Sequence, residues 1–367
     1  MAPVSIASDH RRFYFLDGLR LVAAVAVLAY HYTAINKAPW QPDAAHQFPV
    51  LSNITSYGAL GVQLFFVISG FVILLSAYGR SVGDFVASRV SRLYPAYWAS
   101  VIAAFVLFRF LQPNSGHDDS ITGFLVNMTM IQEGMNVDHL DGVYWTLWIE
   151  LLFYVLIAIF LAIGLTEQRV MAFILLWPLV AAVAKTSNSK ILINFLSPDY
   201  APLFCAGMAL FLIHKFGHSL LRWGLFTFNV FIGTYFANAN FVLKSMSYNT
   251  GRDLSPVVGG AIMIGIFAVV ALVTVTPWAY KGPRWLTVAG ALTFPLYLFH
   301  EAWGWWIISL FSGQMSKWGV LAIAVAFSFV VAFLVERWVE RPLRPLISRA
   351  LRNTFSDVSK RSENSSA

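Results

Sequence analysis

Arg20 and His31 stand eleven residues apart in the apolar segment LDGLRLVAAVAVLAYHYTA, residues 16–34. In an α-helix that step leaves the two side chains about 20° apart around the axis and about 16.5 Å apart along it. One helix face then carries a fixed cation near one end and a titratable imidazole well inside. Ionisable groups are costly in hydrocarbon, so their presence in an apolar run marks a functional site. Counting 1.5 Å per residue, His31 lies about 22 Å up its span, and Glu150, on a helix running the other way from Val143, about 10 Å below the outer surface. His300 and Glu301 fall about 24 Å from the inner surface and Gln63 about 10 Å below the outer one. A histidine beside a carboxylate is equipment for general-base catalysis: the carboxylate fixes the tautomer and stabilises the imidazolium formed when a hydroxyl loses its proton. The bland alternative is a satisfied structural polar cluster.

A second constellation lies toward the opposite membrane face. DFVASRVSRLYPAYW places Arg89 and Arg92 three residues apart, on one side of a helical turn, followed by the interfacial residues Tyr94, Pro95, Tyr97 and Trp98. With Arg20 they form a cationic pocket suited to phosphate, which arginine binds in bidentate fashion. Plain charge anchoring explains Arg89 and Arg92 alone; Arg20, inside an apolar run, favours the pocket. Between the two levels runs GVQLFFVISGFVI, residues 61–73, where Ser69 and Gly70 interrupt bulky side chains. Small residues let helices pack closely, and they also leave room for a slender chain about 15 Å long, the arginine-to-histidine rise.

The elements that position these groups are membrane spans. The chain has 367 residues, 58% hydrophobic and 12% charged, with a mean hydropathy of +0.66, against about 25% charged residues in an ordinary soluble domain. An all-α polytopic membrane protein follows, and 13 Trp agree with its need for interfacial anchors. The net charge of +7 reflects basic residues in short loops and the tail, a topology signal rather than a nucleic-acid surface. The single cysteine, Cys205, excludes an intrachain disulfide framework, and no metal-ligand pattern is present. No cleavable signal peptide is evident before the first apolar run, which is expected to stay as a span.

Ten spans are expected, near 16–34, 56–78, 93–111, 143–164, 168–186, 199–215, 222–243, 257–280, 284–311 and 318–338, each able to cross about 30 Å of hydrocarbon. Positive charges test the count. His10, Arg11 and Arg12 precede the first span, and the loops assigned inside carry Arg80, Arg89 and Arg92; Arg169; Lys215 and Arg222; Lys281 and Arg284. The 112–142 loop, assigned outside, carries Asp118, Asp119, Glu133, Asp138 and Asp141 and no lysine or arginine. Both termini are therefore expected in the cytoplasm. Residues 1–15 form the N-terminal segment, 16–342 the membrane domain, and 343–367, with Lys360 and Arg361 and ending DVSKRSENSSA, a polar tail expected to be disordered. The fifth span holds Pro178 and is the shortest argument of the ten. No internal repeat is visible.

Taken together, these motifs resemble the membrane acyltransferase-3 family. The resemblance runs in order through LDGLR with ten residues before His31, GVQLFFVISGF, SRLYPAYW, DGVYWTLWIELLFY from Asp141 to Tyr154, PLYLFHEA at 295–302 and the closing VERP at 339–342. It implies that acetyl-CoA or another acyl-CoA supplies the acyl group from the cytoplasm. It further implies that Arg20, Arg89 and Arg92 bind the donor phosphates beside Ser69 and Gly70, and that His31 is the catalytic base. Glu150 occupies a motif position and is expected in the active centre, lined by Trp145, Trp148 and Tyr154. His300, Glu301 and Gln63 are expected to support or bind substrate. Thr293 and Phe294 stand where the family segment often begins with serine, which touches no catalytic residue. Many relatives carry a C-terminal SGNH hydrolase-like domain; this chain ends at residue 367, soon after the last span, and a stand-alone enzyme is expected, without a metal.

The expected acceptor is a hydroxyl of a cell-surface glycan or glycolipid, such as lipopolysaccharide, at the inner membrane of a bacterium. Trp145 and Trp148, just beyond the acidic loop, are suited to stacking on sugar rings. A small-molecule acceptor such as a macrolide keeps the same chemistry. A proton-coupled transporter relaying protons through His31, Glu150 and His300 is the competing class.

Overall fold

A computed structural model describes residues 12–113, 116, 120–187 and 189–365, with side chains to 356. His10, Arg11, Asp118 and Asp119 lie outside the described residues, as do the side chains of Lys360 and Arg361. The described chain is helical throughout, with no strand among the described residues. The principal helices are α1 (Tyr14–Thr33), α2 (Gly61–Ala77), α3 (Val82–Val106), α4 (Trp145–Ile163), α5 (Glu167–Thr186) and α6 (Ala201–Phe216). They continue as α7 (Leu220–Phe236), α8 (Pro256–Val275), α9 (Leu286–Phe299), α10 (Glu301–Phe311), α11 (Lys317–Val335) and α12 (Arg341–Ser365).

Among the described residues, eight helical stretches are long and apolar enough to cross a membrane. The other two expected spans are present in interrupted form. α7 continues through π-helical turns over Ala237–Met246, and the ninth span is two shorter helices, α9 and α10, broken at His300. The π segment continues α7 without ending it, since the wider turn keeps the backbone groups bonded. Starts are set locally: Ser81 Oγ accepts from Asp84 N at 3.1 Å, Ser316 Oγ from Gly319 N at 3.2 Å, and Ser255 precedes Pro256 at the first position of α8.

α1 packs on α2 and α9. α2 crosses α6 so closely that only glycines fit. A Cβ on Gly70 would lie 2.1 Å from the Phe204 carbonyl oxygen, and one on Gly207 would lie 2.1 Å from that of Val67. Gly70 is therefore a helix-packing residue, and the passage for a slender chain that its small size suggested is not at its Cα. α3 begins at Val82, a full three turns before the expected start at 93, so that Arg89 and Arg92 sit within a long helix rather than ahead of one.

The tail differs most from expectation. Residues from 343 are helical, in α12, not irregular. Leu343, Leu346, Ile347, Leu351 and Phe355 recur at three- to four-residue spacing and make an amphipathic face that the Ser-rich ending disguised. That face packs along α3: Phe355 lies over Gly83, whose Cβ would come within 2.9 Å of it, and Arg352 Nε lies 3.5 Å from Asp84 Oδ1.

Candidate active site

At one end of α1, His31 stands one half-turn before the helix stops at Thr33. Its Nδ1 lies 2.9 Å from the Val27 carbonyl and 3.1 Å from His300 Nε2, while its Nε2 lies 3.4 Å from Glu301 Oε2. His300 Nδ1 in turn meets the Tyr297 carbonyl at 2.8 Å. A carbonyl only accepts, so in the neutral rings both Nδ1 atoms carry hydrogen, an assignment made from the partners. His31 Nδ1–H is then shared between Val27 and His300, and the Nε2 lone pair of His31 is left beside Glu301. The sequence had brought these residues to one level; the structure makes them a bonded set.

The α9–α10 break builds this set. The Tyr297 carbonyl, which a continuous helix would offer to Glu301 N, takes His300 Nδ1–H instead. Tyr32 of α1 donates to the His300 carbonyl at 2.7 Å, and Trp305 Nε1 of α10 donates to the His31 carbonyl at 3.0 Å. The freed start of α10 is capped by Asp141, whose Oδ2 accepts from Ala302 N at 3.4 Å while its Oδ1 accepts from Val143 N at 3.2 Å. Asp141 lies just ahead of its span and is buried; burial, with the Glu301 carboxyl adding to it, holds its pKa well above the usual carboxylate range. Gly142 lets the Glu301 carboxylate approach, since a Cβ there would lie 2.5 Å from Oε1. Neither role was read from the sequence. The Asp-Gly pair immediately before a span was the signal that could have found them.

At the other end, Arg20, Arg89 and Arg92 line one cavity together with Ser69, Glu150 and Tyr154, around about 780 Å³ of open space. Arg20 Nη1 lies 3.4 Å from Asp17 Oδ1, Arg89 Nη2 donates to Ser88 Oγ at 3.2 Å, and Arg89 Nε is buried without a hydrogen-bond partner. Glu150 Oε1 accepts from Tyr154 at 2.8 Å and from Ser69 at 3.3 Å. The predicted arginine cluster is thus assembled, but Glu150 sits with it and not with His31. The reason is geometric. Gly142, not a point above it, is already at the level of Glu301, and eight further residues carry Glu150 about 12 Å along the axis.

The histidine cavity is larger, about 1690 Å³ of open space, and is lined by His31, Glu301, Lys37, His139, Trp145 and Asn249 among others. Val62 and Tyr297 line both cavities. Tyr297 donates from its hydroxyl to Thr146 Oγ1 at 2.9 Å, and Thr146 donates to the Val143 carbonyl at 3.0 Å, so this junction has its own bonded wall. Three expected site residues lie elsewhere. Gln63, about 100° around α2 from Val62, is buried, lines neither cavity and leaves its Oε1 without a partner. Trp148 lines a third, adjoining cavity, and Gly70 packs on α6. No group of three or more metal-ligating side chains occurs among the described residues.

Comparison with known proteins sets this geometry in context. Residues 13–337 match the profile of an acyltransferase domain family, Acyl_transf_3. The chain is 28% identical over 188 residues to an O-acetyl transferase of Shigella phage Sf6, covering 47% of this chain and 54% of that protein. It is 32% identical over 146 residues to the acyltransferase MdmB of Streptomyces mycarofaciens, covering 38% and 36%. It is 23% identical over 390 aligned positions to the peptidoglycan O-acetyltransferase OatA of Listeria monocytogenes, covering 90% and 55%. The chain therefore spans about half or less of the length of these relatives. No solved structure matches it.

Proposed function

Because the chain belongs to the membrane acyltransferase-3 family, we propose that it moves an acyl group, acetyl foremost, from cytoplasmic acyl-CoA to a hydroxyl of a cell-surface glycan or glycolipid. The observation that carries this reading is the pairing of two cavities on the length of α1. One is lined by three arginines, the other by a histidine bonded to a second histidine and flanked by a carboxylate, and they adjoin at Val62 and Tyr297. The Arg20-to-His31 rise of about 16.5 Å suits the slender arm between the nucleotide and the thioester of acyl-CoA. Arg20, Arg89 and Arg92 hold its phosphates. Glu150, fixed by Tyr154 and Ser69, offsets part of their charge.

The chemistry follows from the lone pair on His31 Nε2. The acceptor oxygen attacks the thioester carbonyl carbon as its proton passes to Nε2. The tetrahedral adduct collapses, the C–S bond breaks, and the imidazolium returns the proton to the leaving sulfur, giving an ester and free CoA thiol. Glu301 stabilises the imidazolium and His300 holds the ring, while proton transfer by His31 is a role of the kind that contributes about 10²- to 10⁴-fold.

Relatives named as O-acetyltransferases, one of them of peptidoglycan, support a glycan acceptor, and the protein is placed in a bacterial cytoplasmic membrane. A small-molecule acceptor such as a macrolide is the second reading, favoured by the histidine cavity being the larger of the two. The family match supports acyl transfer over proton-coupled transport. The test is thermal stabilisation of the purified protein by acetyl-CoA, together with mass spectrometry of surface glycans from cells with and without it. A shift in melting temperature and a mass difference of one acyl group are expected; absence of both would sink the proposal.

A further inference from the structure

Trp145 forms a wall between the histidine cavity and a third cavity beside it. The far side of the third cavity is made by Trp148 of α4, Glu133 of the acidic loop, and Asn194, Asp199 and Tyr200 from the segment between α5 and α6, around about 500 Å³ of open space. The Trp145 and Tyr200 rings lie 5.5 Å apart at 42°. A second link joins the cavities, because His139 of the histidine cavity donates from Nε2 to Glu133 Oε2 at 2.9 Å while its Nδ1 accepts from Gln132 at 2.9 Å.

Two indoles, a phenol, two carboxylates and an amide around one space recognise two kinds of molecule. Aromatic faces with carboxylates hold a cation, or they hold a sugar, whose C–H face lies on the rings and whose hydroxyls donate to the oxygens. The partners already in place favour the sugar. Asp199 Oδ1 already takes Lys185 Nζ at 2.5 Å and Asn240 Nδ2 at 2.9 Å, and Glu133 Oε2 accepts from the neutral His139 ring at 2.9 Å. Asp199 thus has a cationic partner and Glu133 a hydrogen-bond donor within the protein, and these bonds fall on Asp199 Oδ1 and Glu133 Oε2, leaving Oδ2 and Oε1 as acceptors for hydroxyls.

We propose that the third cavity is a second sugar subsite, which holds the residue next to the one acylated at His31. The acceptor is then a glycan of at least two residues. This inference rests on the acyl-transfer reading and names the substrate class of that same centre.

The test uses the full chain in nanodiscs, radiolabelled acetyl-CoA, and size fractions of surface polysaccharide from a host strain lacking the protein, partially hydrolysed to single residues, disaccharides and longer oligomers. The wild type is expected to use disaccharides with kcat/KM at least about tenfold above single residues, the worth of roughly one good contact. In Glu133→Gln and Asn194→Ala that ratio falls toward one through a rise in KM, with acetyl-CoA stabilisation retained as the sign of a folded protein. Equal use of single residues and oligomers by the wild type would overturn the subsite alone. So would variants that lower kcat/KM equally for both. No label in any fraction, with no stabilisation by acetyl-CoA, would overturn the acyl-transfer reading and the subsite with it.

Discussion

Glu301 Oε2 lies 3.4 Å from His31 Nε2, across the imidazole from the 3.1 Å contact between His31 Nδ1 and His300 Nε2. The ring is held on both sides, and the carboxylate that serves it comes from the break between α9 and α10 rather than from α4. The proposed function gives the two glutamates separate jobs. Glu301→Gln is expected to lower kcat by about 10²- to 10³-fold while acetyl-CoA binding stays near wild type. Glu150→Gln is expected to change the acetyl-CoA KM at least as much as kcat. Steady-state kinetics on the two variants checks the assignment, and an exchanged pattern would contradict it.

Gly142 is predicted to be as sensitive as a catalytic residue without touching substrate. An added Cβ would lie 2.5 Å from Glu301 Oε1, so Gly142→Ala displaces the carboxylate from His31. The variant should keep its acetyl-CoA affinity and lose kcat by about tenfold or more. A Gly142→Ala protein with full turnover would show that the Glu301 position is not needed.

Much of this arrangement was legible in the sequence because it depends on helical period. The shared face of Arg20 and His31, the three-residue spacing of Arg89 and Arg92, and the grouping of His31, His300 and Glu301 all follow from counting along helices. Glu150 was misplaced because depth counting treats each span as an upright rod starting from one plane, and it has no means of seeing that Gly142 already stands beside Glu301. Gly70 was ambiguous in principle: a small residue looks the same whether it admits a ligand or a neighbouring backbone. The helical tail was hidden by its Ser-rich last residues, although the spacing of Leu343, Ile347, Leu351 and Phe355 carried the signal.

The arginine cavity predicts a donor site governed by charge. Arg89→Ala and Arg92→Ala should each weaken acetyl-CoA binding by about tenfold or more, as the loss of a charge-assisted contact of roughly 1.5–3 kcal/mol implies. Binding measured by calorimetry should also become less salt-dependent in each variant. Unchanged affinity and salt dependence would leave the arginines as membrane anchors.

The α2–α6 crossing predicts a stability effect. Gly70→Ala places a methyl 2.1 Å from the Phe204 carbonyl oxygen, and the helices must separate. Overpacking of this kind costs about 1–3 kcal/mol or more. The expected result is a lower melting temperature, with the acetyl-CoA KM of the folded fraction near wild type. A raised KM at undiminished stability would return Gly70 to the donor site.

The proposed reaction depends most directly on His31 Nε2 as the atom that takes the acceptor proton. The decisive measurement is single-turnover acetyl transfer by His31→Ala, with acetyl-CoA binding measured on the same preparation. With His31 as the base, donor affinity is expected within a fewfold of wild type and the transfer rate reduced by about 10²- to 10⁴-fold. Transfer at the wild-type rate in a protein that binds acetyl-CoA normally would contradict it.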